Sequence, residues 1–147
     1  GVAGDATPLQ AFEDIRTATL ARQREGGVLR DEVVKMRARM RAELDRSDVA
    51  RFDLKQGAGG LVDLEFLLQY LVRRATPGLI AALATEGALS AEEASALDAV
   101  HATFVADGLA CTLDRRPRLV VENAALATAR AVVMRTTLAH GLPFDTP

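Results

Sequence analysis

The stretch that most constrains the fold is Leu61 to Arg74, Leu-Val-Asp-Leu-Glu-Phe-Leu-Leu-Gln-Tyr-Leu-Val-Arg-Arg, which is apolar almost all the way round a helix. A helix of that kind has no face to give to water and must be covered on most sides by other elements. It is predicted to be the central helix of a bundle. Lys55-Gln56-Gly57-Ala58-Gly59-Gly60 immediately precedes it, and three glycines in four positions exclude regular structure there. The expected arrangement is an irregular glycine-rich loop opening directly into a buried helix.

The flanking sequence supplies the covering elements. Thr7-Pro8, with Gln10 three positions after the threonine, is a helix-start signature, and Leu9, Phe12, Ile15 and Leu20 follow at helical spacing. A first helix is predicted over 8–24, stopped by Gly26 and Gly27. A second, over about 30–46, carries Val33, Met36, Met40 and Leu44 on one stripe, expected to be its core face. Phe52-Asp53-Leu54 reads as extended. Thr76-Pro77 starts a short helix ended by Gly87, and Ser90 with Glu93 forms a capping box for a long helix reaching about Leu113, which Gly108 is expected to bend. A last helix over about 122–140 presents Leu126, Val133, Met134 and Leu138. Few β-branched alternating runs remain, so the fold class is all-α, a single bundle of about six helices over residues 1–147. At 147 residues, 49% hydrophobic and 26% charged, the chain has the size and composition to bury a core of its own.

Several chemistries are excluded by residue type and spacing. One cysteine and two isolated histidines, His101 and His140, offer no ligand cluster with zinc spacing. His101 is expected to be a partly buried helix residue and His140 to sit in a last helical turn, where the dipole favours it. Ser47, Ser90 and Ser95 lack a nucleophile elbow. A net charge of −2 gives no overall basic field for nucleic acid. Cys111, alone, reads as a small core residue in an intracellular chain. No apolar run approaches a membrane-spanning length, and no metal or cofactor is expected within the segment itself.

Two features could carry chemistry. The glycine turn stands before a helix N-terminus, where free N–H groups and the positive dipole end can receive phosphate; the competing role is a tight turn for close packing. It is not a Walker loop, because its lysine precedes the glycines. Asp63 and Glu65 point about 200° apart on a helix and so cannot form a paired acid and base. Asp63 is placed to meet the dipole or the turn. Glu65, deeper in the apolar helix, needs a cation, and Arg37 at the edge of the second helix's stripe is expected to pair with it.

Arg30-Asp-Glu-Val-Val-Lys-Met-Arg37, then Arg51-Phe-Asp-Leu-Lys-Gln-Gly-Ala-Gly-Gly-Leu-Val-Asp-Leu-Glu-Phe66, then Gln69-Tyr-Leu-Val72, resembles the bacterial bifunctional glutamine synthetase adenylyltransferase/deadenylylase family. The resemblance is strong over residues 30–74 and looser elsewhere. It implies an all-helical domain following a nucleotidyltransferase domain, in an enzyme that uses ATP and Mg²⁺ to attach AMP to a tyrosine of glutamine synthetase, or to remove it. Asp63 with Gln69-Tyr70-Leu71 is more similar to the C-terminal, adenylylating half; the deadenylylating half is the alternative. The family's catalytic carboxylates lie in the preceding domain, after a Gly-Ser pair and within an Asp-x-Asp, and this sequence contains neither. The segment is therefore expected to be inactive alone, with residues 1–7 a residual linker. The resemblance also implies a cytoplasmic location. Lys55, Gly57, Gly59, Gly60 and Asp63 become candidates for a nucleotide cleft or a domain interface. Glutamine synthetase and the PII signalling protein become candidate partners, and a non-catalytic docking module for either is the competing function.

Overall fold

The computed structural model describes residues 6–20, 26–72 and 79–144. Among these residues, six helices and one short ribbon follow in the order α1 (Ala6–Leu20), α2 (Gly26–Leu44), β1 (Arg51–Asp53), α3 (Leu61–Leu71), α4 (Leu79–Thr85), α5 (Ala91–Leu113), β2 (Leu119–Val121) and α6 (Ala124–Ala139). The all-α class is borne out. The apolar helix is indeed central: α3 packs against α2, α4, α5 and α6, and Leu64 and Leu67 lie fully buried between them.

Local chemistry sets most of the boundaries. Ser90 Oγ accepts the Glu93 N–H at 3.1 Å while Glu93 Oε2 accepts the Ser90 N–H at 2.8 Å, so the predicted capping box opens α5. Asn123 Oδ1 accepts the Leu126 N–H at 2.9 Å and opens α6. Gly26 and Gly27 start α2 instead of separating it from α1, four residues earlier than expected. The predicted end of the first helix at residue 24 and the Thr76-Pro77 start lie outside the described residues.

The core is built from Leu64 and Leu67 of α3, Ile80 and Leu83 of α4, Leu97, Val100, Phe104 and Cys111 of α5, and Leu126, Ala129 and Val133 of α6. Cys111 is fully buried, as its composition-based reading required. Leu142 and Phe144 fold back after α6 and close the bundle, Phe144 meeting Phe66 edge-on at 6.2 Å between centroids. α5 reaches the length and mean hydropathy of a membrane-crossing helix, contrary to expectation. Its Leu97, Val100 and Phe104 are buried in this core, while Val105, Leu109 and Leu113 are exposed.

Three expectations about faces are corrected. On α2, Met36 and Leu44 are exposed, and the inward face is formed by Val33, Val34, Arg37 and Arg41. On α6, Leu138 is exposed while Thr136 and Thr137 turn inward, their hydroxyls donating to the carbonyls of Val132 and Met134 at 2.9 Å. His101 is exposed, not partly buried. α1 packs against no other described element, and its Phe12 and Ile15 remain exposed.

The extended reading of Phe52 holds, and its partner is β2, which sequence patterning did not reveal. The strands are antiparallel with Phe52 opposite Val120 and Asp53 opposite Leu119. The ribbon fixes the entry to the glycine turn.

Candidate functional site

The turn is shaped by the residues before it. Asp53 Oδ1 accepts the N–H groups of Lys55 and Gln56, each at 2.9 Å, and curls the chain as it leaves β1. Gly57 donates to the Asp53 carbonyl at 2.9 Å, and a Cβ on Gly57 would lie 2.7 Å from that same oxygen. Gly59 has φ +75, a left-handed conformation that costs an L-residue about 1–2 kcal/mol. A Cβ there would also lie 2.8 Å from the Arg130 carbonyl of α6. The glycines therefore let the turn press against its own strand and against α6.

No free N–H cradle results. Gly59 N–H donates to Asp63 Oδ2 at 2.7 Å, Gly60 to Gly57 O at 2.9 Å, Leu61 to Leu54 O at 3.0 Å and Val62 to Lys55 O at 3.1 Å. Asp63 and Leu64 both donate to Gly60 O. The orphan donors of a helix start are thus consumed internally. Of the two roles open to the turn, close packing is the one its backbone serves: the same loop that delivers three glycines also supplies the carbonyls that bond these groups.

Asp63 is the hub of a buried ionic network. Arg37 Nε donates to its Oδ1 at 2.5 Å and Arg41 Nη2 to its Oδ2 at 2.8 Å, with Arg37 0% and Asp63 1% exposed. Arg37 Nη2 continues to the Gln56 carbonyl at 2.7 Å, and Arg41 Nη1 donates to the Phe144 carbonyl. One carboxylate thereby joins α2, the glycine turn, α3 and the C-terminal segment. The expected Arg37–Glu65 pair is replaced by Arg37–Asp63. Glu65, two residues on and about 200° round the helix, is exposed and needs no buried partner.

From α6, Arg130 Nε donates to the Ala58 carbonyl at 2.9 Å, and its guanidinium carbon stands 4.1 Å from the Phe52 ring centroid. Its Nη1 pairs with Glu122. A turn held from α2 by Arg37 and from α6 by Arg130 is a rigid platform. Lys55 rides on it with an exposed side chain that makes no hydrogen bond or ion pair among the described residues. Arg41 and Arg130 were not singled out by sequence patterning. Arg41 lies one turn after Arg37, and that i, i+4 spacing was the available signal.

The arrangement can bind and position, but it contains no acid–base pair. Both Asp63 oxygens are occupied by cationic and amide donors. Among the described residues no group of three or more His, Cys, Asp or Glu could hold a metal ion, so these residues do not fit the Mg²⁺ that the resemblance implies.

The model of the family described as GlnD PII-uridylyltransferase matches residues 10–106, which include the whole turn, α3 and the Arg37, Arg41 and Asp63 side chains. The chain belongs to this family. Its similarity extends further among individual relatives. The bifunctional glutamine synthetase adenylyltransferase/adenylyl-removing enzyme of Stenotrophomonas maltophilia (strain K279a) is 54% identical over 98% of this chain and 17% of its own length. The protein of the same name from Xanthomonas campestris pv. campestris (strain B100) is 52% identical over the same shares. That from Acinetobacter baylyi is 39% identical over 65% of this chain and 12% of its own length. The chain thus spans about a sixth of the length of the first two relatives. The resemblance read from residues 30–74 holds across nearly the whole chain.

Proposed function

We propose that this chain is the helical domain that accompanies a nucleotidyltransferase domain in a cytoplasmic enzyme that transfers AMP from ATP to a tyrosine of glutamine synthetase. The observation that carries the reading is 54% identity over 98% of the chain to a bifunctional glutamine synthetase adenylyltransferase/adenylyl-removing enzyme. Asp63 followed by Gln69-Tyr70-Leu71 favours the adenylylating half. The segment is inactive alone, because the carboxylates that would hold Mg²⁺ belong to the neighbouring domain. Its contribution is a wall: a rigid turn carrying Lys55 toward the phosphates of ATP held by that domain. Rigidity supports this role, since a cation on a locked loop loses little conformational entropy on contact.

In the full-length protein, Lys55→Ala should raise the KM for ATP and lower turnover in AMP transfer. Unchanged ATP affinity and turnover would reject the reading.

A docking role for glutamine synthetase or PII is the second reading, and one observation favours it. Val105, Leu109 and Leu113 form an exposed apolar stripe at four-residue spacing along α5, Leu109 being 55% exposed. Leu109→Glu that weakens binding of either protein while leaving ATP affinity unchanged would select this reading.

A further inference from the structure

The Lys55 side chain makes no hydrogen bond or ion pair among the described residues, so its place is set by the backbone of the turn beneath it. Its carbonyl accepts the Val62 N–H at 3.1 Å, and Gln56, next in the chain, gives its own carbonyl to Arg37 Nη2 at 2.7 Å. Further along the turn, the Gly59 N–H reaches Asp63 Oδ2 at 2.7 Å, the same oxygen that Arg41 Nη2 meets at 2.8 Å. What orients Asp63 therefore orients the turn.

Arg41 stands in the last turn of α2, where a cation is ordinarily explained by the helix dipole. Its guanidinium instead bridges inward, Nη2 to Asp63 and Nη1 to the carbonyl of Phe144, 103 residues away in sequence. A planar group donating at two points fixes its two acceptors relative to one another.

The Phe144 carbonyl is itself held in place. α6 ends in a Schellman motif: Gly141, at φ +76, donates to Leu138 O at 3.0 Å and Leu142 to Thr137 O at 2.8 Å, which turns the chain back over the bundle. Leu142 is 0% and Phe144 4% exposed, and the Phe144 ring stands edge-on to Phe66 of α3. At the start of this strap, His140 Nε2 lies 3.1 Å from Glu93 Oε1 of α5. These contacts involve neither β1 nor the turn.

We propose that Arg41 is a positioning residue for Lys55, anchored on the strap of residues 140–144, so that the seating of the strap sets how the lysine is presented to the phosphates of ATP. The proposal rests on the reading that Lys55 faces nucleotide, and it adds a route by which a distant segment governs that contact. The route runs from the Phe144 carbonyl through Arg41 and Asp63 to the Gly59 amide and the turn. Arg37 does not supply this link, because its Nε and Nη2 bonds end on Asp63 and Gln56, within the turn and the helix it opens. A lysine at position 41 would meet Asp63 as a point charge without holding the carboxylate and the carbonyl together.

The test is the steady-state kinetics of AMP transfer by the full-length protein carrying Arg41→Lys, Lys55→Ala, or both. Arg41→Lys should raise the KM for ATP about three- to fivefold, and in the Lys55→Ala background it should change KM by less than about 1.5-fold, because its effect passes through the lysine. A residue that only stabilises the fold would act equally in both backgrounds, and equal effects overturn the proposal. A parental KM in Arg41→Lys also overturns it, and if Lys55→Ala alone still raises KM, the wall reading survives that result. If Lys55→Ala is silent, the wall reading and the proposal fail together. Should Arg41→Lys not fold, Phe144→Leu decides in its place, since it keeps an apolar side chain but loses the edge-on contact with Phe66. A KM raised about twofold in the parent and unchanged in the Lys55→Ala background supports the strap, and any other pattern overturns it.

Discussion

Asp63 decides the architecture of the site one residue at a time. Its two oxygens take Arg37, Arg41 and the Gly59 amide, so removing it strands a fully buried guanidinium. Asp63→Ala should cost about 3–5 kcal/mol in urea unfolding, whereas Glu65→Ala should change stability by no more than about 0.5 kcal/mol. Equal effects from the two substitutions would contradict the assignment. The sequence made legible that an arginine of α2 must meet a carboxylate of α3, but not which one. A hydrophobic stripe locates the face of a helix that packs on apolar atoms. The inward face of α2 is centred on Arg37 and Arg41 because it packs on a carboxylate, so Met36 and Leu44 misplaced it.

Elements were legible where their determinants are local and hidden where they are not. The capping box of α5 lies within four residues and was read directly from Ser90 and Glu93. β2 is three residues long and is a strand only because β1 lies beside it, which no local pattern encodes. Likewise the glycine spacing announced a turn, while its closure depends on Arg130 of α6. Gly59→Ala should destabilise the chain by at least about 1–2 kcal/mol from its φ alone, measured as a lower midpoint in urea. At the start of α5, the Glu93 carboxyl is held below its ordinary range, first by the Ser90 N–H, then by the Ser90 hydroxyl, with His140 Nε2 at 3.1 Å adding to both. A carboxyl lowered in the folded state stabilises fully above its unfolded value of about 4.3, and that contribution is lost as pH falls through the lowered value. Ser90→Ala should cost about 1 kcal/mol at neutral pH. The deficit should shrink in acid, and a deficit that grows below pH 4 would contradict the box as its origin.

The whole molecule is a bundle organised around one apolar helix whose N-terminal turn is clamped from two sides. Its class followed from helical periodicity, and its family was carried by the turn and the helix after it. The contact of the loop after α5 with the entry to the turn could not be read in advance, because Leu54 and Arg118 become neighbours only through the β1–β2 register. On the proposed function, Phe52 to Tyr70 is a closed, rigid wall that meets nucleotide through side chains and not through an open amide cradle. Amide hydrogen exchange across Gly57 to Leu64 in the full-length protein tests this most directly. The amides of Gly57 and of Gly59 to Leu64 should be protected before nucleotide is added, and saturating ATP should leave their rates unchanged. Fast exchange in the free protein that slows when ATP binds would contradict it.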